Sequence, residues 1–254
     1  MINFNSYRIL KRAKEMEEKI LKDKLVNELS IEVIAKSIIK EAKEIGFQKG
    51  DYLKLANLLL DNAIKIDAGL QSENNSSQIQ YDSNLPVDLP LVGENILIRE
   101  FHKSEDSDNL KKWVQDEIGR YFILTRATSR TYKVENLIED ENHILGIICL
   151  KDQTPIGLMA FLDHDFEQKK AELRKLIGNP AFRSKGYGKE ATKLWIQYGI
   201  SNLGLRKIYL NTLQTNVRNI RLNQELGFKV EGILRNECSI DGKLYDLLRM
   251  GLII

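Results

Sequence analysis

One nine-residue stretch constrains this chain more than any other: Arg183-Ser184-Lys185-Gly186-Tyr187-Gly188-Lys189-Glu190-Ala191. It follows an alternating apolar run, Ala171-Glu172-Leu173-Arg174-Lys175-Leu176-Ile177-Gly178, and precedes an amphipathic segment from Glu190 to Leu203 that reads as a helix. Strand, glycine-bearing turn and helix in that order make an anion site. Glycines let the backbone curl so that several N–H groups point inward. The start of the following helix adds its partial positive charge, and Arg183, Lys185 and Lys189 supply full charges nearby. A phosphate chain is the natural ligand for such a turn. The spacing Arg-x-x-Gly-x-Gly is neither the six-residue dinucleotide fingerprint nor a P-loop ending in Lys-Ser/Thr.

Bulk properties bound the rest. A chain of 254 residues, 43% apolar and 29% charged, suggests one large or two modest domains with a packed core. A net charge of +2 is too small to make nucleic acid or a membrane surface the main partner. The two cysteines, Cys149 and Cys238, lie in separate strand-like runs and read as buried free thiols. The opening residues lack the order of a signal peptide, and no apolar run approaches the roughly 20 residues that span a bilayer. A reducing cytoplasm is the expected location. His102, His143 and His164 stand at no diagnostic spacing from a cysteine or serine and read as surface or strand-end residues. No metal ligand set is expected.

Along the chain, Ile9, Leu10, Ala13, Met16, Ile20, Leu21 and Leu25 recur at helical spacing. Ser30 is a candidate N-cap for a helix carrying Ile31, Ile34, Ile38 and Ile45, with Gly46 at its C′ position. Asp51 is a candidate cap for a third helix running to about Ile64. Residues 1–67 are therefore expected to form a small helical bundle, residues 68–92 a polar linker rich in Asn, Ser and Gln, and residues 93–254 the principal domain. In that domain Asn95–Glu100 reads as a strand, with a helix through Leu110 and Trp113 capped by Ser104 or Asp106. A short helix follows near Val134–Glu139, then paired strands at His143–Leu150 and Pro155–Asp163. From Ala171 onward the order is then strand, helix, strand, helix, strand, strand, which predicts an α/β (α+β) fold, a mixed sheet with helices on its faces.

The Arg183–Gly188 loop resembles the acetyl-coenzyme A pyrophosphate loop of the GNAT acetyltransferases. The residues that follow extend the likeness: a strand at Lys207-Ile208-Tyr209-Leu210-Asn211, a helix from Asn216 ending in Gly227-Phe228, and the closing runs Val230-Glu231-Gly232 and Gly242 to Met250. The succession is similar to the RimJ/RimL-like and spermidine-acetyltransferase-like branch. It is close from about Ala171 to the C-terminus, looser from about Gly93 to Lys170, and does not cover the first ninety or so residues. The resemblance implies a central sheet whose two parallel strands splay, with the acyl carrier in the gap. It also implies acetyl-CoA as acyl donor and an acetyl group passed directly to a primary amine on a small molecule, amino sugar or protein N-terminus. Neither a metal nor a covalent enzyme intermediate is needed.

By the same resemblance, Arg183, Ser184, Lys185, Gly186, Tyr187 and Gly188 hold the pyrophosphate, and main-chain groups near Leu176, Ile177 and Gly178 meet the pantetheine arm. Asn216 resembles an asparagine that contacts that arm, and it also reads as an N-cap. Glu172 occupies a strand position where related enzymes often carry an acid, which makes it the candidate base; as a plain strand-edge glutamate it would be solvated. Glu237 and Asp246 are rival carboxylates suited to a cationic substrate. Gly157–Ala160, Ile233–Cys238 and Gly119–Thr128 are expected to line the acceptor pocket. One departure matters. The slot where many members place a tyrosine holds Asn223, which cannot act as a general acid but can donate a hydrogen bond. That slot, and the unrecognised N-terminal helices, keep open an alternative: a non-catalytic acyl-CoA sensor whose bundle contacts a protein partner or a second copy.

Overall fold

A computed structural model describes residues 31–48, 51–52, 55–59, 62, 81–82, 87–116, 119 and 134–254, which fall into two compact units divided between Ala56 and Asn57. The expected first helix, Ser30, most of the 68–92 segment and residues 120–128 lie outside the described residues.

In the first unit, helix α1 covers residues 31–45. Gly46 ends it at φ 91°, with Phe47 N–H donating to Ala42 O (2.9 Å) and Gly46 N–H to Lys43 O (3.1 Å). That pair of bonds is a Schellman closure, as the glycine position predicts. Helical residues (α2) follow at 51–52 and 55–56 in this unit, and at 57–59 in the second. Asp51 is itself helical, and its carboxylate accepts from Gln48 N–H (3.0 Å), three residues back, in the manner of a capping-box partner.

In the second unit the described residues form an eight-stranded sheet, ordered β1-β2-β3-β4-β5-β6-β8-β7. Its strands are β1 (Leu91–Val92), β2 (Ile96–Glu100), β3 (Ile144–Leu150), β4 (Pro155–Asp165), β5 (Lys170–Ile177), β6 (Lys207–Leu213), β7 (Lys229–Ile240) and β8 (Lys243–Ile253). Only β5 and β6 run parallel. Helices α3 (Lys103–Gln115), α4 (Val134–Glu139), α5 (Tyr187–Ser201) and α6 (Val217–Glu225) complete the unit. The sheet buries both faces in separate clusters. Ala171 and Leu173 of β5 pack with Trp195, Ile196 and Ile220 from α5 and α6. Leu176 of the same strand packs with Leu110 and Trp113 of α3 and Leu137 of α4. Strand alternation therefore puts Ala171, Leu173, Lys175 and Ile177 on the α5/α6 face and Glu172, Arg174 and Leu176 on the other. Trp195 stacks on Phe161 with ring centroids 5.5 Å apart. Cys149 and Cys238 are buried and free, as expected.

Two boundaries differ from the sequence reading. The described end of the expected linker is docked rather than loose. Leu91 is fully buried in β1, Tyr81 Oη donates to Leu226 O (3.2 Å), and Gln197 Nε2 donates to Asp82 O. Apolar Tyr81, Val87 and Leu89 supply the contacts that a polar tether lacks. Helix α3 begins after His102, which makes no side-chain cap, instead of at Ser104 or Asp106. Asp106 reaches back to His102 N–H (2.8 Å) while holding both Arg99 guanidinium nitrogens at 2.8 Å. The carboxylate is 1% exposed, so it sits where a lost partner cannot be replaced by water. Asp106→Ala is expected to lower the unfolding free energy by about 3 kcal/mol. Urea denaturation checks this, and a loss under about 1 kcal/mol would contradict it.

Candidate active site in the gap between β5 and β6

The parallel pairing of β5 with β6 is brief. Lys170 faces Lys207, Ala171 faces Ile208 and Glu172 faces Tyr209, and there it stops. Beyond that point β5 stays paired with β4, from Leu162↔Glu172 to Gly157↔Ile177. Meanwhile β6 stays paired with β8 along its whole length, Lys207↔Ile253 to Leu213↔Leu247. Each arm of the wedge keeps its outer ladder, so the inner ladder can open. The opening is a cavity of about 610 Å³ walled by Leu173–Ile177 of β5, Leu210–Leu213 of β6, Arg183, and Asn216, Arg218, Asn219 and Leu222 at α6.

At the open end lies the glycine turn. Helix α5 starts at Tyr187, three residues earlier than the sequence pattern suggested, because Gly186 at φ 89° serves as its N-cap. An L-residue is strained at that angle. Lys189 and Glu190 N–H both donate to Gly186 O (2.9 and 3.3 Å), so the N–H groups of Tyr187 and Gly188 come before the first intrahelical bonds. Ser184 also has positive φ, 64°. Its hydroxyl accepts from Arg218 Nη1 (2.9 Å), which joins the turn to the first turn of α6. A cation there opposes the helix dipole. In the sequence that was the one available signal that Arg218 has an anionic or polar partner.

Arg183 is placed differently from the expectation. Nε donates to Ile177 O (3.0 Å), and Nη2 donates to Gly178 O (3.0 Å) and pairs with Asp116 (2.7 Å). Its guanidinium braces the turn against the end of β5 and occupies the Ile177 and Gly178 carbonyls that were expected to meet a ligand. Leu176 and Ile177 do line the cavity; Gly178 does not. Gly178 packs on the indole of Trp113, where an added Cβ would overlap the ring. Lys185 lies over the Phe182 ring, 5.1 Å from its centroid, and Lys189 pairs with Glu225. Asn216 is the N-cap of α6, its side chain accepting from Asn219 N–H (3.3 Å), and it also lines the cavity.

At the closed end, Glu172 is 3% exposed and lies outside the cavity wall. Oε1 receives Arg174 Nη2 (2.8 Å) and Asn211 Nδ2 (3.0 Å). The carboxylate thus clasps β5 to β6 at the last paired residue, and the structure does not present it to the cavity as a base. Glu237 and Asp246 belong to the β7–β8 hairpin, where Asp246 accepts from Asn236 N–H (2.7 Å).

The residue that sequence reasoning missed is Lys175. It lines the cavity from the α5/α6 face, and its Nζ donates to Asn223 Oδ1 (2.6 Å). Asn223 is fully buried, and its Nδ2 has no hydrogen-bond partner. Burial alone pushes the Lys175 ammonium down to about 7. The signal was a lysine at an inward, apolar position of an alternating strand. Because the folded pKa lies below the unfolded value, the unfolded chain binds the extra proton between about pH 7 and 10.5. Stability contributed through this group therefore rises with pH across that window, by at most about 1.4 kcal/mol per pH unit. Lys175→Met is expected to flatten that slope in urea melts at pH 7, 8 and 9; an unchanged slope would contradict it.

A forked parallel strand pair beside a glycine turn at a helix start makes an α/β domain with a cleft and a helix N-terminus suited to an anion. The sequence pattern of the acetyltransferase (GNAT) domain matches residues 95–229, a little over half of the chain, and the protein belongs to that family. Spermidine N(1)-acetyltransferase of Escherichia coli (strain K12) is 33% identical over 99 residues, 39% of this chain and 53% of that protein. The alignment thus spans about half of that relative's length. The uncharacterized N-acetyltransferase p20 of Bacillus licheniformis is 28% identical over 171 residues, 64% of this chain and 95% of that protein. Among solved structures, the Vibrio cholerae spermidine N-acetyltransferase in complex with CoA and spermine superposes with a TM-score of 0.54. It is 22% identical and covers 63% of this chain and 95% of its own, which supports the fold.

Proposed function

We propose that this protein is an acetyl-CoA-dependent N-acetyltransferase that passes the acetyl group directly to a primary amine. The observation that carries the reading is the wedge: three paired residues, then a cavity of about 610 Å³ between Leu173–Ile177 of β5 and Leu210–Leu213 of β6, with Arg183 and Arg218 in its wall. The diphosphate of the donor belongs at the turn, where the Tyr187 and Gly188 amides and the Arg218 and Lys185 side chains gather. The pantetheine arm lies along the unpaired edges of β5 and β6 as an added strand. The acetyl group then lies toward the closed end. The amine loses its proton to water, since Glu172 is engaged with Arg174 and Asn211.

Polyamines are the first acceptors to test, given what the related Vibrio enzyme holds. Residues 93–254 are read as the catalytic domain, with cytoplasmic location. The helices within 1–67 are read as a contact element for a second copy or a protein partner; α1 leaves Ile31, Ile34 and Ile45 exposed. Among the described residues, no helix is long and apolar enough to cross a membrane.

Gly186→Glu tests the donor site, because it puts a carboxylate on a strained backbone where the phosphates belong, and a Cβ there meets nothing within 4 Å. Calorimetry is expected to show at least about a 100-fold loss of CoA affinity, equivalent to about 2.8 kcal/mol. Unchanged affinity in that variant would overturn the assignment. Release of CoA thiol on addition of spermidine or spermine supports the enzyme; tight CoA binding with no turnover on any amine would leave a sensor instead.

A further inference from the structure

We propose that Lys175 is a catalytic residue, the general acid that protonates the departing CoA thiolate, and that Asn223 is the positioning residue that holds it. This rests on the donor site proposed above. The geometry is the argument. Lys175 Nζ stands at the cavity wall on β5, three residues from the closed end, and hydrogen-bonds to Asn223 Oδ1 at 2.6 Å. The phosphate end of the cavity is fixed by the turn and by Arg218 on the first turn of α6. Asn223 lies five residues further along that helix, about 7.5 Å by helical rise. Along β5, Lys175 lies between the Ile177 end near the turn and Glu172 at the last paired position, and on this proposal the thioester sulfur sits beside it.

A buried ammonium needs a reason, and among the described residues no carboxylate shares the cavity wall with it. The charged groups that share the cavity are Arg174 on its own strand, Arg183 from the turn and Arg218 from α6, all cationic. On β4, Met159 is its register partner, and β6 presents Leu210 and Thr212. Glu172 is turned to the opposite face with Arg174 and Asn211. Asn223 accepts one hydrogen bond from the ammonium and leaves the remaining protons for something in the cavity. An ammonium near 7 gives its proton readily to a thiolate whose conjugate acid has a pKa of about 8.5.

The step balances. The amine nitrogen forms a bond to the thioester carbonyl carbon, and the carbon–sulfur bond breaks. Sulfur takes its proton from Lys175 Nζ, leaving CoA thiol. The new amide nitrogen releases a proton, and solvent returns one to Lys175.

Lys175→Met and Lys175→Arg in the full chain test this. Methionine fills the same space without a proton, and arginine keeps the charge but holds its proton at every accessible pH. Both are expected to bind acetyl-CoA within about threefold of the unmodified chain by calorimetry, and to lose about 100-fold in kcat. In the unmodified chain kcat is expected to fall on the alkaline side of its pH profile, a limb that both variants lack. Either variant keeping kcat within about threefold overturns the proposal and leaves the donor site standing. So does an unmodified profile that rises without descending to pH 10, a readout needing no variant. If the unmodified chain binds no acetyl-CoA, the donor site fails too, which separates the two readings.

Discussion

The structure depends on a ladder that stops. Parallel pairing between β5 and β6 ends at Glu172 and Tyr209, and everything proposed for the site occupies the space that opens beyond. Leaving one inner ladder unmade is costly in a sheet, since each buried amide or carbonyl without a partner costs about 1–3 kcal/mol. Here the outer ladders to β4 and β8 are continuous, so the strands keep their shape while the inner edges face a cavity where water or a ligand can satisfy them. The Glu172–Arg174–Asn211 cluster fixes where the fork begins. Opposite charges at 6% and 3% side-chain exposure stay together because separating them would leave one charge in the interior.

The cations around the gap divide into two kinds. Arg183 and Arg174 are engaged with protein carbonyls and carboxylates, so they shape the walls. Arg218 instead donates to the Ser184 hydroxyl, and Lys185 lies over the Phe182 ring. Lys175 differs from both: its environment makes the proton itself easy to lose. A lysine on a solvated surface holds its proton firmly at neutral pH, whereas the same side chain between β5 and α6 becomes an acid of useful strength.

Element order and the glycine turn were legible in the sequence because they are local. Alternation marked β5, an amphipathic pattern marked α5, the likeness to the GNAT succession marked α6, and Gly186 and Gly46 sit at positive φ where a turn and a helix end require them. The start of α5 was misplaced by three residues because Tyr187, Gly188 and Lys189 carry no apolar period; the left-handed Gly186 cap sets that boundary. The part played by Asp106 was missed because its partners, Arg99 and the His102 amide, meet it only after β2 and α3 fold against each other. The described end of the 68–92 segment read as tether because its few apolar residues are spaced without period, yet Tyr81 and Leu91 find partners far along the chain.

By itself the sequence determined the glycine turn, the alternation that builds the sheet, and the absence of a tyrosine at position 223. These follow from residue type and spacing within one or two elements. Only the tertiary structure decided what each charged side chain does. It turned Glu172 away from the cavity, tied Arg183 to the β5 carbonyls, and set Lys175 against Asn223 from a strand and a helix 48 residues apart. Charge and proton affinity depend on what surrounds a group in space, and that neighbourhood is assembled from distant parts of the chain.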